Sequence, residues 1–368
     1  MEDMFRFADQ LGPAKIVHIH VPGVGIKAIV VIDNIACGPA IGGVRMAPDV
    51  SVEECARLAR AMTLKNAAAG LPHGGGKSVI FANPRMPASD KERMIRAFAS
   101  AIRDLVDYIP GPDMGTDERC MAWVRDEIGR AVGLPPVLGG IPLDEIGATG
   151  FGLVTAIEAA LPHCGLTLRG ARVAVQGFGA VGRHAARFLA DKGAVLIAAA
   201  DTSATLYDPA GLDVADISRH KLAGRPLGEY PAGEKRNPDA IIDVACDIWI
   251  PSARPDVLRA DNVAQLQTKL VAQGANIPAT EEAEAMLHAR GILVLPDFIA
   301  NAGGVICAAV EYHGGTEAAA FAAIAEKISR NMRRVLEESA STKAMPRAAA
   351  NALAEQRVKQ AAGYRRWS

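Results

Sequence analysis

The sequence is poor in aromatic residues, has no excess charge of either sign and contains no long apolar run. Aromatic side chains make up 5% of its 368 residues, and none are interleaved with a basic run, as they are in many nucleic-acid-binding proteins. The formal net charge is −1, from 40 basic and 41 acidic residues, so nothing attracts the chain to nucleic acid or to an anionic membrane. No apolar run reaches the roughly 18 residues of a membrane span, and no signal peptide is recognisable. We therefore expect neither a nucleic-acid nor a membrane partner.

Cysteine and histidine are present, but their spacings match neither a redox motif nor a metal site. The six cysteines form no CxxC pair, and the eight histidines have no metal-ligand spacing. Reduced thiols are the simplest interpretation, which predicts a cytoplasmic enzyme without a bound metal. The length is sufficient for two domains, each with its own core.

Two lysines near a glycine triplet are the first candidates for chemistry. Lys65 and Lys77 lie twelve residues apart, and Lys77 follows Gly74, Gly75 and Gly76 directly. Glycine lets the backbone approach a ligand closely, and a lysine that is partly desolvated near a second cation has a lowered pKa suited to acid/base work. Taken alone, the segment is equally compatible with a surface turn that carries two solvated lysines.

A second glycine motif predicts dinucleotide binding. Residues 171–182 read ARVAVQGFGAVG, a valine-rich strand followed by glycines in GxGxxG spacing, and an amphipathic helix comes next. The following strand, AVLIAAAD, ends on Asp201, 19 residues beyond Gly182. A strand-to-helix turn places helix N-terminal amides at a pyrophosphate, and the terminal acid can accept hydrogen bonds from ribose hydroxyls. The predicted contacts are Gly177, Phe178, Gly179, Ala180, Val181, Gly182 and Asp201.

The order of predicted elements indicates an α/β protein of two domains. Residues 16–33 alternate like a hairpin, and Ser51 with Glu54 forms a capping box at the head of a helix that carries Lys65. From residue 150 strands and helices alternate, among them the predicted strand AIIDV at 240–244, as in a doubly wound parallel sheet of the Rossmann type. We predict a substrate and oligomerisation domain at 1–145, a Rossmann domain at 146–334, and a C-terminal helix at 335–368 that packs back on the first domain.

Seven motifs, in this order and over nearly the whole chain, resemble the family of glutamate, leucine, phenylalanine and valine dehydrogenases. They are GPAIGGVRM (38–46), MTLKNAAAGLPHGGGKSVI (62–80), GPDMGT (111–116), ATGFG (148–152), GFGAVG (177–182), GANIPAT (274–280) and PDFIANAGGVI (296–306). The resemblance implies NAD(P)-dependent reversible oxidative deamination of an L-amino acid to a 2-oxo acid and ammonia. It also implies a homo-oligomer.

The same resemblance implies roles for individual residues. Lys77 and Asp113 match the catalytic lysine and aspartate, and Lys65 matches the lysine that binds the substrate α-carboxylate. Asn301 matches the asparagine that helps to hold the substrate and the nicotinamide ribose, and Thr149 falls at the nicotinamide carboxamide. The remaining expected contacts are Gly42, Gly43, Met62, Gly111 and Val305 for substrate, and Ser252, Ala253 and Asn276 for cofactor; we expect the two glycines of the pair to offer backbone amides.

Two positions favour an apolar substrate. Glutamate-specific members carry a lysine before the glycine pair and a serine three residues after the valine of NAGGV; here these positions are Ile41 and Ala308. Burying a substrate carboxylate there without a partner costs several kcal/mol. We expect a leucine, valine, isoleucine or phenylalanine class of substrate. GANIPAT and the C-terminal GYRRW resemble the glutamate branch more, so a glutamate dehydrogenase that holds the γ-carboxylate by another cation stays open.

The preferred nucleotide depends on Asp201. A carboxylate at this position repels a 2′-phosphate, which predicts NAD. Thr202 and Ser203 beside it are small and polar, so NADP remains possible. The nearest downstream basic residues are Arg219, His220 and Lys221, which are too distant along the chain to be assigned to this site. A dinucleotide-sensing protein without turnover is the non-enzymatic alternative, but it would be expected to have lost Lys77 or Asp113, and both are present.

Overall fold

The computed structural model describes residues 5–366. The chain divides into two compact units by its internal contacts. The first unit comprises residues 1–142, 305–320 and 351–368, and the second comprises residues 143–304 and 321–350. The sequence-based boundaries differ from these. The prediction ends the first domain at residue 145, whereas the first unit ends at residue 142; the prediction begins the C-terminal return at residue 335, whereas the last segment of the first unit begins at residue 351. No described helix is long and apolar enough to cross a membrane.

The first unit is built on a sheet of five strands within the described range. Its order is β1-β2-β4-β3-β5, with β1 antiparallel to β2, β2 antiparallel to β4, and β3 parallel to both β4 and β5. The predicted hairpin is thus confirmed as β1 and β2. The strands are β1 (Lys15–Val21), β2 (Ile26–Asn34), β3 (Ala40–Ala47), β4 (Gly74–Phe81) and β5 (Tyr108–Pro112), and the helices are α1 (Val52–Ala68), α2 (Ala88–Ala101) and α3 (Glu118–Ile128).

Helix α1 begins where the sequence predicts. The Ser51 side chain accepts a hydrogen bond from the Glu54 amide at 3.1 Å, which satisfies one of the free amides of the first turn. Near its other end α1 packs closely on β4, because a Cβ on Gly75 would lie 2.0 Å from the Thr63 nitrogen. The Asn66 side chain donates to the Gly74 carbonyl at 2.7 Å. The glycine triplet therefore lets the helix that carries Lys65 lie against the strand that carries Lys77.

The second unit is a Rossmann-type unit around a sheet of seven described strands. Its order is β12-β11-β10-β6-β7-β8-β9; the first five strands are parallel, and β8 and β9 add an antiparallel edge that the sequence did not predict. The strands are β6 (Arg172–Gln176), β7 (Val195–Ala200), β8 (Thr205–Tyr207), β9 (Glu234–Arg236), β10 (Ile248–Pro251), β11 (Leu270–Ala272) and β12 (Leu293–Leu295). The helices are α4 (Leu143–Ile146), α5 (Ala148–Cys164), α6 (Ala180–Asp191), α7 (Val214–Leu222), α8 (Glu281–Ala289) and α9 (Asp297–Ala300).

One predicted strand of this unit is wrong. Residues 240–244 were expected to be extended, but Pro238–Asp243 is a 3-10 helix. The Asn237 side chain accepts from the Asp239 amide at 3.2 Å, and Pro238 occupies the first turn, where its fixed φ favours a helix start. Ile241 and Ile242 are nevertheless buried, so the apolar run marks the core correctly.

Three helices complete the chain: α10 (Gly303–Tyr312), α11 (Glu317–Thr342) and α12 (Pro346–Ala362). In the first unit, the Arg357 side chain from α12 donates to the Ala67 carbonyl at 3.0 Å. This contact caps the C-terminal end of α1, where free carbonyls attract a cation.

Candidate active site

One face of the first sheet brings the predicted substrate residues together. Ile41 pairs with Gly75 on β4 and with Ile109 on β5, and Gly43 pairs with Gly111. Side chains of paired residues point to the same face, and the period along each strand is two. The face that bears Ile41 therefore also bears Gly43, Gly111 and Lys77, with Asp113 just beyond the end of β5.

Lys77 and Asp113 form an ion pair on this face. The Lys77 Nζ contacts Asp113 Oδ2. The two side chains keep 8% and 17% of their surface exposed, so the pair is largely enclosed but remains accessible to solvent. Burial opposes ionisation of Asp113, but the ammonium of Lys77, the Met114 amide and Arg45 together lower the pKa of its carboxyl. Asp113 is thus an anion held next to a cation, ready to exchange a proton with a bound substrate.

Arg45 is a third charged member that the sequence interpretation did not include. Its Nη2 lies 3.4 Å from Asp113 Oδ1, and its Nη1 bonds Glu54 on α1. Its buried Nε has no hydrogen-bond partner among residues 5–366. The signal that could have found it is its position in strand β3, two residues after Gly43 and so on the same face.

Gly43 leaves space for these groups. A Cβ at this position would lie 2.7 Å from the Asp113 Cβ and 3.1 Å from the Lys77 Nζ. Gly42 points to the other face, where a Cβ would meet the Gly76 carbonyl oxygen at 1.7 Å. Both glycines lie inside β3, between β4 and β5, where main-chain groups bond largely within the sheet. Both glycines thus occupy positions with no room for a side chain, and their expected role as amide donors to the substrate stays a prediction.

Met62 and Lys65 share one side of α1, three residues apart, and both are half-buried. They lie in the helix segment that contacts β4 through Thr63 and Asn66. Lys65 is therefore held in the same unit as Lys77 and beside the same strand.

A small apolar cluster adjoins the charged groups. It consists of Ile41, Ile109, Val132 and Ala308, all buried and all in the first unit. Gly111 faces the same cluster, since a Cβ there would lie 3.0 Å from Val132 Cγ2. Val305, one turn before Ala308 on α10, is half-buried. Ile109 could have been found from its alternation with Gly111, whereas Val132 lies in a loop after α3 and has no sequence signal.

In the second unit, the turn between β6 and α6 has the geometry expected of a pyrophosphate site. Gly177 has φ +94, and its amide and that of Phe178 both donate to the Ala200 carbonyl at 2.9 Å. A Cβ on Gly182 would lie 2.2 Å from the Gly177 oxygen, while one on Gly179 would meet no other atom within 4 Å. The glycines thus allow a tight turn, close helix packing and open space at the helix N-terminus, where Ala180 and Val181 follow. These residues fit a dinucleotide.

Neighbouring strand ends complete this edge of the sheet. The Ser252 hydroxyl donates to the Gly177 carbonyl at 2.8 Å, and a Cβ on Gly177 would touch Ala253. Thr149 lies in the first turn of α5, where a Cβ on Gly304 would approach its hydroxyl to 3.1 Å.

Asn301 follows α9 and faces the loop after β11. Its Nδ2 donates to Asn276 Oδ1 at 3.0 Å, while its buried Oδ1 has no hydrogen-bond partner in the described part of the chain. A buried acceptor without a partner is costly, so a ligand or an ordered water is expected to supply the missing donor.

Both carboxylate oxygens of Asp201 accept hydrogen bonds from within the second unit. Its Oδ1 accepts from the Ser203 amide at 2.8 Å and from the Ser203 hydroxyl at 2.5 Å, and its Oδ2 accepts from Lys221 Nζ at 2.5 Å and from the Leu227 amide at 2.9 Å. Burial opposes its charge, yet Lys221, Ser203 and Leu227 lower its pKa. Lys221, which the sequence alone could not assign to this site, lies there because β8 and α7 return the chain to the end of β7.

The described residues contain no group of three or more histidine, cysteine, aspartate or glutamate side chains arranged for a metal ion.

Comparison with known proteins agrees with this geometry. Residues 139–366 match the family model for Glutamate/Leucine/Phenylalanine/Valine dehydrogenase, and residues 13–130 match that for the Glu/Leu/Phe/Val dehydrogenase dimerisation domain. The chain belongs to the Glu/Leu/Phe/Val dehydrogenase family. It is an amino-acid dehydrogenase, an oxidoreductase of a class that uses NAD(P).

Relatives of several specificities share the sequence and the fold. The glutamate dehydrogenase of Aeropyrum pernix is 36% identical over 322 residues, which are 82% of this chain and 77% of that protein. The hetero-hexameric glutamate dehydrogenase of Thermus thermophilus, in a leucine-bound form, has a TM-score of 0.84 at 31% identity and covers 95% of this chain and 89% of its own. The L-tryptophan dehydrogenase of Nostoc punctiforme has a TM-score of 0.75 at 28% identity, covering 95% and 97%.

Proposed function

We propose that this protein catalyses the reversible oxidative deamination of an apolar L-amino acid, of the leucine, valine, isoleucine or phenylalanine class, with NAD as the preferred acceptor. The observation that carries the proposal is the apolar cluster of Ile41, Ile109, Val132 and Ala308 beside the Lys77–Asp113 pair. A substrate side chain buried there gains the hydrophobic stabilisation of its own apolar area, roughly 25 cal/mol per Å². A γ-carboxylate in the same place would be desolvated without a counter-ion.

Residues of this chain have proposed roles in binding the substrate and in moving its protons. Lys65 pairs with the substrate α-carboxylate as a point charge, and Asp113 takes a proton from the amino group. NAD(P)⁺, when bound, supplies the acceptor for the hydride that leaves Cα. Lys77, in the form that has released its proton to solvent, takes a proton from a water molecule as that water attacks the imine carbon, and the resulting ammonium stabilises the oxygen that develops there. Asp113 returns its proton to the leaving nitrogen, the remaining hydroxyl proton passes to solvent, and ammonia and the 2-oxo acid result.

Preference for NAD is proposed to be modest. The carboxylate of Asp201 repels a 2′-phosphate, but Lys221 lies 2.5 Å from it and neutralises its charge. The phosphate therefore meets a site of small net charge rather than an isolated anion. We propose further that the protein is a cytoplasmic homo-oligomer assembled through its first domain, since a dimerisation-domain model matches residues 13–130.

Glutamate dehydrogenase is the second candidate, favoured by the similarity of this chain to the glutamate dehydrogenases of Aeropyrum pernix and Thermus thermophilus. The deciding experiment is NAD(P)⁺ reduction with a panel of L-amino acids, comparing kcat/KM for leucine, valine, isoleucine, phenylalanine, tryptophan and glutamate. The proposal expects at least about a tenfold advantage for the best apolar substrate over glutamate, about 1.4 kcal/mol. A preference for glutamate would refute the pocket assignment, and no turnover with any amino acid would refute the proposed reaction.

A further inference from the structure

A buried ionic cluster in the second unit is not used by the chemistry proposed above. Arg347 lies in the first turn of α12. Its Nε donates to Glu284 Oε2 at 2.7 Å, and its Nη2 donates to Gln273 Oε1 at 2.8 Å. The same Nη2 lies 2.9 Å from Asp297 Oδ1. One guanidinium thus joins α8, the end of β11 and the start of α9.

The partners of Arg347 are almost fully enclosed. Gln273 is 0% exposed, and Glu284 and Asp297 are each 4% exposed. Burial opposes the charge on Arg347, but the carboxylates of Glu284 and Asp297 outweigh it and raise the pKa of the guanidinium. Buried ion pairs are often no more stabilising than well-packed apolar residues. Stability alone therefore does not account for this cluster, and we ask which neighbouring segment it holds in place.

The cluster reaches a strained turn through Asp297. Asp297 Oδ2 accepts from the Ile277 amide at 2.8 Å, and the Asp297 amide donates to Gln273 Oε1 at 3.0 Å. Ile277 has φ +49, a left-handed conformation that a β-branched side chain rarely adopts. Such a conformation persists only where the surroundings impose it, and it concentrates at ligand sites.

The strained turn belongs to the loop that continues into the predicted cofactor contacts. The Gly274 and Ala275 amides both donate to the Pro251 carbonyl at 2.9 Å. Asn301 Nδ2 donates to the Ala275 carbonyl at 3.2 Å as well as to Asn276 Oδ1. Gly274 also packs beside Ser252, since a Cβ there would lie 3.1 Å from the Ser252 Cβ. A change in the Ile277 turn would therefore displace Asn276 and the partners of Asn301.

We propose that Arg347 is a positioning residue for the dinucleotide: through Asp297 and Gln273 it holds the 274–280 loop in the conformation that presents Asn276 and Asn301 to the cofactor. The inference rests on the dinucleotide role assigned to this edge of the sheet. Without Arg347, the carboxylates of Glu284 and Asp297 face each other unbalanced, and the Asp297–Ile277 bond no longer has a fixed geometry. The loop then samples conformations in which Ile277 relaxes.

The test is NADH binding to the full-length protein, followed by fluorescence, with steady-state kinetics in parallel. If the competent loop conformation falls to about one tenth of the population, the apparent Kd rises about tenfold. We expect this for Arg347→Met, with a matching rise in KM for the dinucleotide and a smaller rise in KM for the amino acid, because Asn301 is also expected to hold the substrate. Arg347→Lys should lie between the wild type and Arg347→Met, because an ammonium cannot span the acceptors that the planar guanidinium reaches.

Arg290→Met is the matched control. Arg290 lies in the same unit and donates to the Val263 and Leu266 carbonyls at 2.7 and 2.6 Å, but it does not contact the 274–280 loop through any of these bonds. Arg290 is more exposed than Arg347, so Arg290→Met should lower the melting temperature less than Arg347→Met does, and it should leave the NADH Kd within about twofold of wild type. If Arg347→Met cannot be purified, the comparison is made between Arg347→Lys and Arg290→Lys.

The outcomes separate the two claims. Unchanged NADH affinity in the Arg347 variants, or an equal loss in the Arg290 variants, overturns the positioning role. A wild-type protein that binds no NADH would instead refute the dinucleotide site itself.

Discussion

Two buried ionic clusters, one in each unit, use similar side chains in opposite ways. In the first unit, Lys77 and Asp113 lie beside glycines that leave space, and the Arg45 Nε has no partner among the described residues. In the second unit, Arg347 is bonded to several acceptors, and both Glu284 oxygens accept from it. The groups proposed to act on a substrate thus include an unpartnered donor, whereas the guanidinium proposed to hold a loop bonds several acceptors, although Asp297 Oδ1 beside it also lacks a hydrogen-bond partner among the described residues. The predictions below test this difference.

Lys77→Ala is expected to have the largest effect. The lysine is proposed to act on the substrate and not on the cofactor, so kcat should fall by about 10²–10⁴, the usual contribution of a positioned acid or base. The NADH Kd should stay within about twofold of wild type. Steady-state rates and fluorescence titration measure both quantities. A variant that keeps more than about a tenth of the wild-type kcat would rule out the proposed role, since that loss is below 1.4 kcal/mol.

Asp113→Asn should lower kcat by about a hundredfold, because an amide cannot exchange the proton. Steady-state rates measure it.

The carboxyl of Asp113 also gives a titration test. Its pKa is lowered from 3.8 in the folded protein, so the stability that it contributes is present above that value and is lost as pH falls through the lower folded pKa. In Lys77→Ala, burial acts without its main counter-charge, and the Asp113 pKa should rise. Carboxyl NMR titration would show this; an unchanged pKa would mean that the ion pair is not formed in solution.

Ile41→Lys combined with Ala308→Ser should shift the preference toward glutamate. The two changes supply a cation and a hydroxyl to one ligand. We therefore expect about a tenfold change in the ratio of kcat/KM for glutamate over leucine in the double variant, and a smaller change from either substitution alone. Ile41→Met with Ala308→Ser is the matched control, since it alters shape without adding charge. An equal shift in the control would show that charge is not what excludes glutamate.

Lys221→Ala should have the smallest effect. Without the ammonium, the Asp201 carboxylate faces a 2′-phosphate uncompensated, so use of NADP⁺ should fall about threefold to tenfold, by up to about 1.4 kcal/mol, relative to NAD⁺. Asp201→Ser should change the ratio in the opposite direction. Measured kcat/KM values for both nucleotides decide it; a ratio that neither variant alters would place the adenosine ribose elsewhere.

Local signals were the ones that sequence alone could predict. The Ser51 cap, the hairpin of β1 and β2 and the glycine turn at Gly177 each depend on residues close together in the chain. Lys221 could not be placed, because its contact with Asp201 depends on how β8 and α7 return to the end of β7. Val132 and Arg347 were missed for the same reason: their partners come from distant segments, and neither belongs to a motif.

The apolar cluster has a consequence for how such enzymes diverge. Ile41, Ile109, Val132 and Ala308 come from four separate segments, and none of them bears an ionisable side chain. Each can therefore be replaced singly, in natural drift or in a designed library, with the proton-transfer groups left as they are. Gly43 permits no such exploration, because any side chain there would collide with Asp113. Substrate preference can therefore change through the four cluster residues, whereas the proposed reaction requires a glycine at position 43.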